Sequence, residues 1–201
     1  MKRSDRVLLD ADICFKLGRF LNSKFIERII PHVAHEVFIH EYVYENELLI
    51  GATGKNQMEE LVKAKVVTVL KEAQLRDNEK ELYYSTVELL CQVMKGKNFF
   101  YNNDHRGEIV SLAMAKTVGI PIFITDERDL QPIIDSKLNT GLGNDIQVFR
   151  LFDLILFIKN NNLDIGIKRK EAKKLWCGSY DEKYLESKKK KFDDEIWQSK
   201  V

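Results

Sequence analysis

The chain has 201 residues, of which 44% are hydrophobic, 31% charged and 10% aromatic, a balance that excludes a disordered or fibrous protein. Its 32 Lys and Arg nearly cancel its 31 Asp and Glu, but residues 168–201 hold 11 of the bases and 7 of the acids, a net of +4, which leaves −3 on residues 1–167. Cys14, Cys91 and Cys177 are too few and too scattered for a disulfide framework or a Cys-rich metal site.

The apolar run 6–9 ends on Asp10 and reads as a buried parallel strand. Its passage into Asp10 and Asp12 does not fit a signal peptide. Residues 12–30 read as helix, broken near Gly18 or Asn22; Pro31 bounds a short apolar piece; residues 36–49 have helical character. Residues 51–54 form a loop, and the β-branched run 65–70 reads as the second strand. A long amphipathic helix follows over 77–94, with Asp77 as N-cap and Leu82, Leu89, Leu90, Val93 and Met94 on its apolar face. Asn102, Asn103 and Asp104 offer an N-cap for a helix to Val118, which Gly119 and Pro121 close. Residues 122–125 read as the third strand, 146–149 as an edge strand and 151–159 as a closing helix. The stretch 151–158 is too short to span a bilayer and contains Asp153, so a cytoplasmic protein without membrane association is expected.

This alternation predicts an α/β fold, a three-layer sandwich with a mainly parallel central sheet over residues 1–162. Residues 163–201 are expected to form a basic, helical C-terminal appendage with exposed short helices over 168–176 and 180–191.

Two acids share a special position. Asp10 and Asp126 each follow the carboxyl end of a buried strand, the edge at which open parallel sheets bind ligands. Carboxylates brought together there repel unless a cation lies between them, and oxygen ligands suit Mg²⁺ or Mn²⁺. Either Asp can also serve simply as a helix cap. Glu108, beside Gly107 at the start of an apolar helix, and Asp129, three residues after Asp126, can be helix-dipole complements or further members of the group.

With these residues in place the chain resembles the PIN domain, a family of metal-dependent ribonucleases. Val-Leu-Leu-Asp10-Ala-Asp12 is similar to the family's first motif, Arg106-Gly-Glu108-Ile-Val-Ser to its third, and Ile-Thr125-Asp126-Glu-Arg-Asp129 to its fourth. For the second, a Glu on an early helix, Glu41 fits the offset best, with Glu36 and Glu45 as competitors. The resemblance covers roughly residues 5–150; the longer middle (51–97) and the basic tail depart from compact family members. It implies that Asp10, Glu108 and Asp126, assisted by Glu41 or Asp129, hold one or two Mg²⁺ or Mn²⁺ ions that activate water for in-line attack on an RNA phosphodiester. Thr125 would hydrogen-bond a water, a carboxylate or a phosphate there, or be only a strand residue. It also implies RNA as substrate, with a toxin-like or RNA-processing role, an antitoxin-like inhibitor and a homodimer as the associated partners.

In the tail, Lys168, Arg169, Lys170, Lys173 and Lys174, with Lys188–Lys191, can track a phosphate backbone, and Trp176, Tyr180, Tyr184 and Trp197 can stack on bases. The plain alternative is a solvated Lys-rich face with aromatics anchoring it to the body. His32, His35 and His40 read as structural or surface residues, and Cys14 and Cys91 as small buried apolar side chains. Two other functions fit less of the pattern: a non-catalytic PIN-like scaffold binding RNA or protein, and a haloacid-dehalogenase-like phosphatase using Asp10-x-Asp12. Cys14 and the lack of a phosphate-binding Lys before the last acidic motif count against the latter.

Overall fold

The structure, a computed structural model, describes residues 4–48, 54–94, 105–141, 143 and 145–198. Five strands form one all-parallel sheet in the order β3-β2-β1-β4-β5: β1 (Ser4–Leu9), β2 (Ala34–His40), β3 (Val67–Leu70), β4 (Ile122–Ile124) and β5 (Gln147–Phe149). From β1 to β3 the chain adds strands on one side, then returns to add β4 and β5 on the other. The reversal lies between β1 and β4, where the two carboxyl ends open a crevice.

Both sheet faces are covered, so the buried parts of the strands are apolar on both sides, and their side chains alternate between two cores. Val7, Leu9, Val37, Ile39 and Ile124 belong to one, packed by α1 (Ala11–Gly18), α2 (Phe25–Val33), α3 (Lys55–Lys63) and α7 (Leu151–Asn160). Leu8, Phe38 and Phe123 belong to the other, packed by α4 (Asp77–Val93), α5 (Arg106–Val118) and α6 (Leu130–Lys137). The result is a three-layer α/β sandwich.

Several expectations require correction. The stretch 36–49 is not a helix: Ala34–His40 is the second strand, hydrogen-bonded between β1 and β3, and only Val43–Glu47 coils, as a π-helical turn. Pro31 lies inside α2. In α4, Arg76 and not Asp77 is the N-cap, Leu82 is 44% exposed, and Tyr83, Thr86 and Leu90 are buried. The Asn102–Asp104 cap falls outside the described residues; His105, with φ of 60°, caps α5, and Gly119 at φ of 69° ends it as expected. No described helix is long and apolar enough to cross a membrane.

The C-terminal segment comprises α8 (Asn162–Ile165), α9 (Arg169–Gly178), α10 (Leu185–Lys191) and a π-helical turn (Phe192–Ile196). It is helical and basic, but its apolar side is not surface. Ile165, Ile167, Leu175, Trp176, Phe192 and Ile196 complete the first core, against α2 and α7.

Candidate functional site

Register sets the first contacts. Leu9 is paired with Ile39 on one side and Ile124 on the other, so the next residues, Asp10, His40 and Thr125, stand abreast at the carboxyl edge. The Asp10 amide donates to the Ile124 carbonyl (3.0 Å), and the Thr125 amide to the Phe149 carbonyl (3.0 Å). Asp10 is 2% exposed. One carboxylate oxygen accepts the Ala11 amide (2.8 Å), as an N-cap does, and the other accepts the Thr125 hydroxyl (2.7 Å). Despite those bonds, burial and the negative charges of Glu108 and Glu47 push the Asp10 carboxyl up to about 8.

Glu47 is the acid that reading the sequence missed. It leaves the π-helical turn and lies over the first turn of α5, where it accepts the Gly107 amide. A Cβ on Gly107 would stand 2.4 Å from a Glu47 oxygen, so any larger residue there would push the Glu47 carboxylate from its place. Arg106 stacks on the Tyr42 ring (4.6 Å), tying the segment after β2 to α5. Burial and Glu108 push the Glu47 carboxyl up to about 7. Glu108 stands on the same first turn, with His105 Nδ1 3.6 Å from its carboxylate. One turn beyond Gly107, Ser111 is fully buried and its hydroxyl has no hydrogen-bond partner among the described residues.

Asp126 is placed differently. It follows Thr125, and alternation turns it towards the other sheet face. There one oxygen accepts Lys16 Nζ of α1 (2.8 Å) and the other the Leu151 amide at the start of α7 (3.3 Å). Lys16 also binds Asp12 (2.8 Å). Burial alone would depress the Lys16 ammonium; the two carboxylates outweigh it and raise it. The site therefore has two halves, the acids Asp10, Glu47 and Glu108 on the α5 side and Asp12 and Asp126 bridged by the single Lys16 ammonium on the α1 side. The i,i+4 spacing of Asp12 and Lys16 was a signal readable in the sequence.

The remaining candidates stand apart from these two halves. Asp129 is exposed and shares a surface hollow with His105 and Glu127. Glu41 faces away, accepting the Glu72 amide (2.7 Å). Glu36 is exposed beside Arg6 (3.4 Å), and Glu45 is exposed on the π-helical turn. Among the tail bases, Arg169 and Lys173 are both bound to Asp193, while Lys168, Lys170 and Lys174 are exposed, with Lys174 against the Phe20 ring (5.3 Å). Trp176 is 2% exposed and its indole N–H donates to the Lys188 carbonyl (2.9 Å), so it is an anchor and not a stacking platform.

Beside the site His40 is fully buried. Its Nδ1 accepts the Tyr42 amide (3.0 Å), so the other nitrogen, Nε2, carries the proton facing the Tyr83 hydroxyl (3.2 Å), which donates to Glu72 (2.8 Å). Burial lowers the His40 imidazole to about 4.

Among the described residues no three His, Cys, Asp or Glu side chains are grouped closely enough to hold one ion as they stand. The chemistry of Asp10, Glu47 and Glu108 nevertheless fits a hard divalent cation. All donors are oxygens, their charges repel in a buried place, Gly107 leaves room beside Glu47, and Ser111 leaves a buried hydroxyl unsatisfied. Set against protein-family models, curated proteins and solved structures, the chain matches none.

Proposed function

We propose that the chain is a metal-dependent ribonuclease of PIN type that hydrolyses RNA phosphodiester bonds with Mg²⁺ or Mn²⁺. The observation that carries this reading is the raised carboxyl pair: Asp10 at about 8 and Glu47 at about 7, with Glu108 beside them, at the point where strand order reverses. Buried acids that repel one another are short of positive charge, and a divalent ion would supply it. Asp10, Glu47 and Glu108 would hold that ion. When bound, it supplies Lewis-acid activation of water and neutralisation of phosphate charge. Thr125 orients Asp10, the Gly107 amide orients Glu47, and Lys16 with the Leu151 amide fixes Asp126 on the far side of the crevice.

One observation favours a second reading. Lys16 already occupies Asp126 and Asp12 with an ion pair to each, which suits a PIN-like scaffold that binds RNA or protein without cutting it. Incubating the full chain with mixed single-stranded RNA and Mn²⁺ separates the two, beside an EDTA control and Asp10→Asn and Glu108→Gln variants. Metal-dependent cleavage by the wild type alone supports the nuclease. Equal cleavage by wild type and variants sinks it, and RNA retained uncut supports the scaffold. Turnover of a phosphomonoester, abolished by Asp10→Asn, would instead support the phosphatase.

A further inference from the structure

The tail bases that face the acids are not those of α9. Trp176 donates its indole N–H to the Lys188 carbonyl and so pins α10 beside the crevice. From there Lys188 Nζ lies 3.5 Å from the centre of the Tyr180 ring and 5.0 Å from that of Trp176. Arg128 comes from the loop after β4, and Arg150 from the end of β5, where its guanidinium donates to the Arg128 carbonyl. Lys191 sits over the Phe152 ring (5.2 Å). Three separate segments therefore bring cations to one rim.

These cations lack counter-charges. Among the described residues the side-chain nitrogens of Arg128, Arg150 and Lys188 have no carboxylate oxygen within 4.0 Å, whereas Arg169 and Lys173 share Asp193 and Lys16 is held by two acids. Burial lowers the Lys188 ammonium, and the charges of Arg128, Lys191 and Lys16 lower it further; Asp126 opposes them from the carboxylate crevice. Like charges held together at a partly buried rim are short of an anion, and the rim lies next to acids that are short of a cation.

We propose that Arg128, Arg150 and Lys188 form a clamp for the phosphodiester backbone of single-stranded RNA, supplied jointly by the body and by α10. The RNA identity rests on the ribonuclease reading; the anion clamp rests on the geometry. Guanidinium groups present fixed forks to phosphate oxygens, and an ammonium on an aromatic platform is a positioned point charge. A backbone bound here would pass Asp126 on its way to the Asp10 side of the crevice.

The test is fluorescence anisotropy of a short labelled single-stranded RNA with the full chain in EDTA, between about 50 and 200 mM KCl. In Arg128→Glu/Lys188→Glu, affinity should fall at least about tenfold and the slope of log K against log salt should shrink by about 1.4, two phosphate contacts' worth. Lys63→Glu/Lys137→Glu, with the same charge change on α3 and α6, should stay within about twofold, and circular dichroism reports whether each variant is folded. If the charge reversal unfolds the chain, Arg150→Gln/Lys188→Gln should still weaken binding at least about threefold. Equal loss in the control, unchanged affinity in the clamp variants, no RNA binding by the wild type, or a preference for an acidic peptide over RNA would overturn the proposal. Binding is read without metal, so RNA that is held in EDTA and stays uncut when Mn²⁺ is supplied sinks the ribonuclease reading and leaves the clamp standing. Cleavage by the clamp variant with an unchanged KM sinks the clamp alone.

Discussion

One methyl group at position 107 decides whether Glu47 can reach its place. The backbone there is ordinary helix, in which alanine is favoured over glycine by about 1 kcal/mol. The Cβ, however, would meet the Glu47 carboxylate at 2.4 Å. Gly107→Ala should therefore fold, with little change in thermal stability, while Mn²⁺ affinity measured by calorimetry drops about 10- to 100-fold, the range seen when groups orienting metal ligands are lost. Unchanged Mn²⁺ affinity would remove Glu47 from the site. His40 supplies a different residue-scale prediction. Its folded pKa, about 4, lies below its ordinary value of 6.5, so the unfolded chain binds a proton that the folded chain refuses. The stability this contributes is complete above about pH 6.5 and is lost as pH falls towards 4, roughly 2–3 kcal/mol in all. Denaturation curves of His40→Gln against wild type should show a shallower fall over that window. Tyr83→Phe strands the His40 N–H and should cost roughly 1–3 kcal/mol at neutral pH.

At the scale of elements, the strand β2 explains which parts of the site were legible. Asp10, Glu108 and Asp126 stand out because apolar runs end or begin on them, a signal that survives without knowing the topology. Glu47 does not. A central parallel strand buried on both faces shows no polar alternation, and His35 and Glu36 at its exposed start, with His40 and Glu41 at its end, dilute its apolar run until it reads as helix. Once Ala34–His40 is counted as helix, the coil after it is misjudged, and Glu41 is preferred to Glu47. The separation of Asp10 from Asp126, two acids expected side by side from the sequence, was hidden for a related reason. The Leu9–Ile124 register makes Thr125 the neighbour of Asp10 and sends Asp126 to the other face. The tail shows the same limit, since Lys-rich segments mask the spaced apolar residues between them. Trp176, Leu175, Phe192 and Ile196 are core residues, so removal of residues 163–201 should yield an insoluble or unfolded protein, and Trp176→Ala should cost about 3–5 kcal/mol in a denaturant titration. A truncated chain that melts cooperatively would show that the body stands alone.

For the whole molecule, the near-cancelling total charge conceals a short-range division at one edge of the sheet. Asp10, Glu47 and Glu108 crowd three acids on the α5 side, and Arg128, Arg150 and Lys188 carry excess positive charge on the α7 and α10 side, with the Lys16-bridged pair Asp12 and Asp126 between them. A phosphate strand drawn to the positive rim is repelled by whatever negative charge the acids carry. A divalent cation on the acids reverses the sign of the interaction. Metal and RNA should therefore bind cooperatively, and by linkage each must tighten the other by the same factor. The expected outcome is at least about fivefold tighter Mn²⁺ binding in the presence of RNA, and an equal gain in RNA affinity at saturating Mn²⁺, with the RNA checked for intactness after each measurement. In Asp10→Asn the mutual gain should shrink, because a carboxyl that can give up its proton and face the cation is gone. Independent binding of the two ligands would mean that the acids and the clamp, although neighbours, serve different partners.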